Sequence, residues 1–150
     1  DAKGLPASGH GGAERVAQAF RSVKLVFDAL RPYFAAGARL LTISARSGVE
    51  SAQRLAAPKR TLLFQEGTLE PCDLGQIANE FVAELDKARG DGQRVPCCSP
   101  AGYWLDATGF GFVLLHALIC IWHRKFQRLC FCTCACLPRE NLDVEEAEAG

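Results

Sequence analysis

Residues 103–137 read YWLDATGFGFVLLHALICIW, HRKFQR and LCFCTCACL: an uncharged run, a basic collar and a cysteine-dense apolar segment. Ala107 to Trp122 is sixteen residues without a charge, and His116 is its one strongly polar member. At about 1.5 Å per helical residue the run covers roughly 24 Å, short of a hydrocarbon core of about 30 Å. Extension back to Trp104 brings in Asp106, which belongs at an interface. Local bilayer thinning and snorkelling flanks absorb such a mismatch. Tyr103, Trp104 and Trp122 stand where an aromatic belt lies, and His123, Arg124, Lys125 and Arg128 form a stop-transfer collar. Gly109 and Gly111 allow close helix contact.

Two readings fit this run. One is a single membrane span over 103–123. The other is the buried core helix of a soluble domain, since sixteen residues falls between the two lengths. The run is apolar all round and not striped, which favours membrane or deep burial over a surface helix. The collar tips the reading toward the membrane.

Upstream, Val16, Phe20, Val23, Phe27 and Leu30 recur at helical spacing, with Phe34 continuing beyond Pro32. This narrow stripe suits packing against one other helix, and a helix on a membrane surface is the competing reading. Pro32 ends or kinks it. Tyr33–Ala45 reads as a second helix rich in small residues. Ser47 with Glu50 resembles a capping box for a short helix through Ala56, stopped by Pro58. Thr61–Phe64 fits a short strand or one helical turn. Asp73 with Gln76 forms a second capping box. The helix after it shows Leu74, Ile77, Phe81 and Leu85 on one face, basic residues near its end and Gly90 past its stop.

The expected fold is mainly α: an amphipathic helical domain, one transmembrane helix, and a short Cys-rich, acidic tail. In order, 1–12 is a flexible leader, 13–89 the helical domain and 90–102 a Gly/Pro/Cys linker. The span takes 103–123, the collar and cysteine segment 124–137, and a disordered acidic tail 138–150. In that tail Glu140, Asp143, Glu145, Glu146 and Glu148 face one cation, Arg139. The chain starts at Asp1 and contains no methionine, which reads as a processed or trimmed product or one lacking its true start; a removed signal or transit peptide would fit.

Eight cysteines are present: Cys72, Cys97, Cys98, Cys120, Cys130, Cys132, Cys134 and Cys136. Their clustering is not the spaced framework of a secreted disulfide scaffold. In a strand, Cys130, Cys132, Cys134 and Cys136 share one face; in a helix they split between two sides. Such thiols can bind zinc or copper(I), carry acyl chains beside a membrane, form redox disulfides, or lie in an interface as small apolar residues. The spacing lacks the C-x2-C pairs of common zinc sites. Cys97-Cys98 with Cys72 offers three soft ligands if the fold gathers them. His116, if intramembrane, is a candidate ligand for haem or pigment, or a proton relay; a hydrogen bond to a neighbouring helix is the plainer role.

No nucleotide-binding loop, G-x-S-x-G or H-E-x-x-H motif is present, and net charge is zero with scattered basic residues. No cofactor is required, and nucleic acid is not an expected partner. These features predict a non-catalytic accessory subunit of a larger membrane complex, with other membrane subunits and the bilayer as partners. Alternatives are a metal- or redox-handling membrane protein and an S-acylated adaptor. The expected location is an organelle membrane, mitochondrial inner or thylakoid, with the plasma membrane or endomembranes second. The positive-inside bias puts collar and tail in cytosol, matrix or stroma.

Overall fold

The structure, a computed structural model, describes residues 11–90 and 97–136. The leader to residue 10, residues 91–96 of the linker and the acidic tail at 138–150 lie outside the described residues.

The chain is mainly helical, and its elements run in one order. They are α1 (Gly12–Leu30), a short 3-10 turn at Arg31–Tyr33, β1 (Arg39–Ala45), α2 (Arg46–Arg54), α3 (Ala57–Phe64), α4 (Pro71–Gly90), α5 (Ala107–Lys125) and β2 (Cys130–Cys136). One helix, α5, is long and apolar enough to cross a membrane. It covers the whole expected run and three residues of the collar.

An all-round apolar helix needs apolar neighbours on every side. Here α1, α2, α3 and α4 all pack on α5, with α1 and α2 making the most extensive contacts. Two thirds of the apolar window of α5 is thereby buried within the protein (67%). Phe110, Val113, Leu114, Ala117 and Leu118 are inaccessible to solvent. These helices, from the expected domain at 13–89, lie against α5, the helix of the expected span at 103–123. The α5 helix is the axis of the helical domain.

The stripe on α1 supplies one wall, with Val16, Phe20 and Phe27 buried; Leu30 is exposed, because the stripe turns away as the helix ends. The Phe27 ring stacks on Trp122 with centroids 3.8 Å apart. The α4 helix supplies another wall through Leu74, Ile77, Phe81 and Leu85, all buried as the periodicity requires. Phe81 stacks on Phe110 at 4.1 Å, and Tyr103 meets both rings edge-on. Such pairs add about 0.5–1.5 kcal/mol each beyond area burial.

The helix expected over Tyr33–Ala45 is not formed. Residues Arg31–Tyr33 close a 3-10 turn, Gly37 takes a left-handed φ of 81°, and Arg39–Ala45 is a strand. Alternation explains it: Leu40 and Ser44 face in, Leu41 and Ile43 face out, and Thr42 and Ile43 are β-branched. Its partner is β2, in parallel, with Leu41 opposite Cys132 and Ile43 opposite Cys134.

Local capping also differs. Ala45 precedes α2 with no side-chain cap, and Glu50 pairs with Arg46 at 2.9 Å in place of the expected Ser47 box. Pro58 opens α3 near its first position instead of stopping α2, which ends at Arg54. Thr61–Phe64 is the last turn of α3. At α4 the Asp73 carboxylate accepts the Glu70 N–H at 2.8 Å, so Asp73 is the third helical residue and not the cap. At α5 Asp106 caps directly, accepting the Thr108 N–H at 3.1 Å.

Gly109 sits where α2 crosses α5. A Cβ there would collide with Ser51 Oγ and Asp106 Oδ2 and lie 2.9 Å from the Ser47 carbonyl oxygen. Gly75 in α4 has open space around it. Gly109→Ala is expected to destabilise the fold by about 1–3 kcal/mol. Gly75→Ala should stabilise it by about 0.5–1 kcal/mol. Urea unfolding midpoints of the two variants check the pair, and equal effects would contradict the packing.

Candidate functional site

Three side-chain groupings carry chemistry. The first is the β1–β2 sheet. Its inner face, with Leu40, Ser44 and Phe131, lies toward α5. Phe131 lies among the rings of Phe27, Trp122 and His123, with centroids 6.0, 6.2 and 6.4 Å away. The outer face carries Leu41 (67% exposed) and Ile43 (64% exposed) beside Cys130, Cys132 and Cys134. All three thiols are free and exposed. Cys136 ends β2 opposite Ala45. The strand alternative for the four cysteines is thus the one adopted.

A parallel pair is normally covered on both faces. Here one face lies on the core and the other, apolar and thiol-bearing, is open. Among the described residues no group of three His, Cys, Asp or Glu converges as metal ligands. The exposed Cys72 and Cys97-Cys98 do not join β2 in such a group.

The second grouping is inside. His116 projects from α5 toward β1, and its Nε2 lies 2.6 Å from Ser44 Oγ. Ser44 is 3% exposed. Burial holds the His116 pKa below the ordinary imidazole value. A hydroxyl on an imidazole is the geometry of a nucleophile and its base. Yet among the described residues no side chain orients the other ring nitrogen, and Ser44 is sealed from solvent. The pair works as a strand-to-helix tie: the candidate ligand nitrogen of His116 is engaged by a serine of β1, not by a neighbouring helix. On the same α5 face, burial raises the Cys120 thiol pKa, partly offset by the Arg124 charge.

The third is a polar clasp. Tyr103 Oη donates to Glu80 Oε2 at 2.9 Å, Lys59 Nζ donates to Tyr103 Oη at 2.9 Å, and Lys59 and Glu80 pair at 3.3 Å. Lys59 also sits 4.5 Å over the Tyr103 ring. Burial raises the Tyr103 pKa. The tyrosine hydroxyl, then Lys59, lowers the Glu80 pKa. Desolvation pulls Lys59 down, but Tyr103 and Glu80 together hold it above its usual value. The clasp joins α3, α4 and the segment entering α5.

Of the collar, His123, Arg124, Lys125 and Arg128 are all exposed, and Lys125 is bonded to Glu70. Ser44, Leu41, Ile43 and the clasp residues were not among the expected site residues. The L-T-I-S alternation was the available signal for the strand. Nothing in the sequence brings Lys59, Glu80 and Tyr103 together, because the contact spans three elements.

No protein-family model matches the chain, and no curated protein matches it.

Because His116 is held neutral, acid favours the unfolded chain. Its folded pKa lies below the unfolded value near 6.5, so the unfolded state takes up the proton first as pH falls. Stability is expected to decline from about pH 7 toward pH 5. In His116→Gln that part of the slope should flatten. Urea titrations at half-unit pH intervals compare the two; superimposable pH slopes would contradict the role.

Proposed function

We propose that this chain is a non-catalytic accessory subunit of a larger membrane complex, and that it attaches through the outer face of β1–β2. The observation that carries this reading is the open sheet face, where Leu41, Ile43 and three free thiols lie exposed together. Exposed apolar groups gathered on one face mark interaction sites. A two-stranded parallel sheet is stable on its own only with help from what packs on it. A partner laid on the outer face would complete the layer that α5 begins. The same thiols are accessible for acylation, which would add lipid contact to the same surface.

A second reading has one observation in its favour: α5 is long and apolar enough to cross a bilayer. As a span it would have to leave α1, α2 and α4. The outer faces of α1, α2 and α4 carry Arg21, Arg54 and Lys87, which do not belong in hydrocarbon. On the leading reading α5 stays inside the domain and the membrane complex is met from its surface.

Membranes from the native source separate the readings. The chain is expected to sediment with membranes at neutral pH and to be released by alkaline carbonate. The full chain with Leu41→Asp and Ile43→Lys should remain in the supernatant at neutral pH while keeping wild-type helical circular dichroism. Retention through carbonate would shift the reading to a span. A wild-type chain found only in the supernatant would sink both.

A further inference from the structure

Where α1 ends and α5 ends, Arg31, Arg124, Lys125 and Arg128 line a groove of about 810 Å³ floored by Phe34 and Phe126. No carboxylate is among its described lining residues. Lys125 is bonded to Glu70, whereas Arg31, Arg124 and Arg128 make no ion pair among the described residues. Arg31 lies 5.3 Å over the Phe126 ring. The loop that bears Arg128 is fixed: its carbonyl accepts the Gly37 N–H at 2.8 Å, and the Cys130 N–H donates to the Ala38 carbonyl at 2.9 Å. The result is a set of guanidinium groups held at one place without counterions. This is an arrangement for carboxylates or other planar anions.

We propose that this groove takes the chain's own acidic segment, residues 145–148, docked in cis. Two arguments select that occupant over a foreign anion. The first is charge: residues 138–150 carry five carboxylates against one cation. The second is reach. Cys136 stands six residues up β2 from Cys130, about 20 Å at 3.3 Å per residue. Glu145 is nine residues beyond Cys136, a reach of roughly 30 Å for an extended chain. Glu145, Glu146 and Glu148 can therefore return to Arg124, Arg128 and Arg31, while Glu140 cannot. Tethering also supplies an effective concentration of order millimolar, so a contact too weak to form between molecules forms within one. Held there, the tail masks the groove from other acidic ligands.

The test uses the full chain and amide NMR shifts of Phe126, Gln127, Arg128 and Leu129. Reversal of the tail charge, with Glu145→Lys, Glu146→Lys and Glu148→Lys together, is expected to move these resonances while leaving those of α4 in place. Raising salt to about 0.5 M, where screening is nearly complete within a few ångströms, should move them the same way. Reversing the groove as well, with Arg124→Glu and Arg128→Glu, should make the Phe126 resonance salt-sensitive again, as in the wild-type chain. A synthetic peptide of residues 138–150 should bind the tail-reversed chain at least tenfold more tightly than the wild-type chain. Groove resonances indifferent to the tail reversal would overturn the proposal. So would equal peptide affinity for both chains, or wild-type shifts that depend on protein concentration, which would place the contact between copies.

Discussion

The burial of most of the apolar surface of α5 is the constraint from which the other arrangements follow. A helix with no polar face cannot sit at a surface, so every other helix is recruited to cover it. Aromatic stacking does much of that covering at the two ends: Phe81 on Phe110 near the start, Phe27 on Trp122 near the finish. Most side chains between them are small or aliphatic, and just before Phe110 the α2 helix comes close enough over Gly109 to exclude even a methyl group. The polar contacts sit at the margins of this core, in the Lys59–Glu80–Tyr103 clasp and the Ser44–His116 tie. They orient the wrapping elements; they do not supply the driving force, since a hydrogen bond nets only about 1 kcal/mol.

The sheet is the complement of that core. Its inner face closes part of α5 that the helices leave uncovered, and among the described residues nothing packs on its outer face. The exposed thiols and the aliphatic residues of β1 share that face because the parallel register sets Cys132 by Leu41 and Cys134 by Ile43. The basic groove lies at the other end of β2, where the collar turns out of α5. Apolar and cationic surfaces are thus separated along one strand.

Legibility in the sequence tracked how local the cause was. The long helices α1, α4 and α5 were readable because 3.6-residue periodicity, or a sustained apolar run, is a property of contiguous residues. So was the alternative that β2 places its cysteines on one face. Strand β1 was misread as helix: LLTIS alone is ambiguous, and its pairing with a segment at the far end of the chain decided it. The capping expectations failed for a related reason. Ser47 is the second residue of α2, which follows β1 directly, and Asp73 the third of α4, so neither stands at the cap position. The core role of α5 was a weighed alternative: length and apolarity fit both solvents, and the packing of α1, α2, α3 and α4 lies outside what contiguous residues encode. The site groupings were least readable, because each joins side chains from elements distant in the chain.

The pairing of β1 with β2 has a consequence for synthesis. About 85 residues separate Ala45 from Cys130, so the first strand leaves the ribosome long before its partner exists. At about 5–20 residues per second that interval is on the order of 4–17 s. Throughout it the LLTIS segment is an unpaired apolar strand, in a compartment where chaperones and neighbouring nascent chains compete for such segments. The helical wrap cannot close early either, since α5 emerges only shortly before β2. The fold is therefore completed only after β2 has emerged, and its yield in cells depends on protection of that early segment.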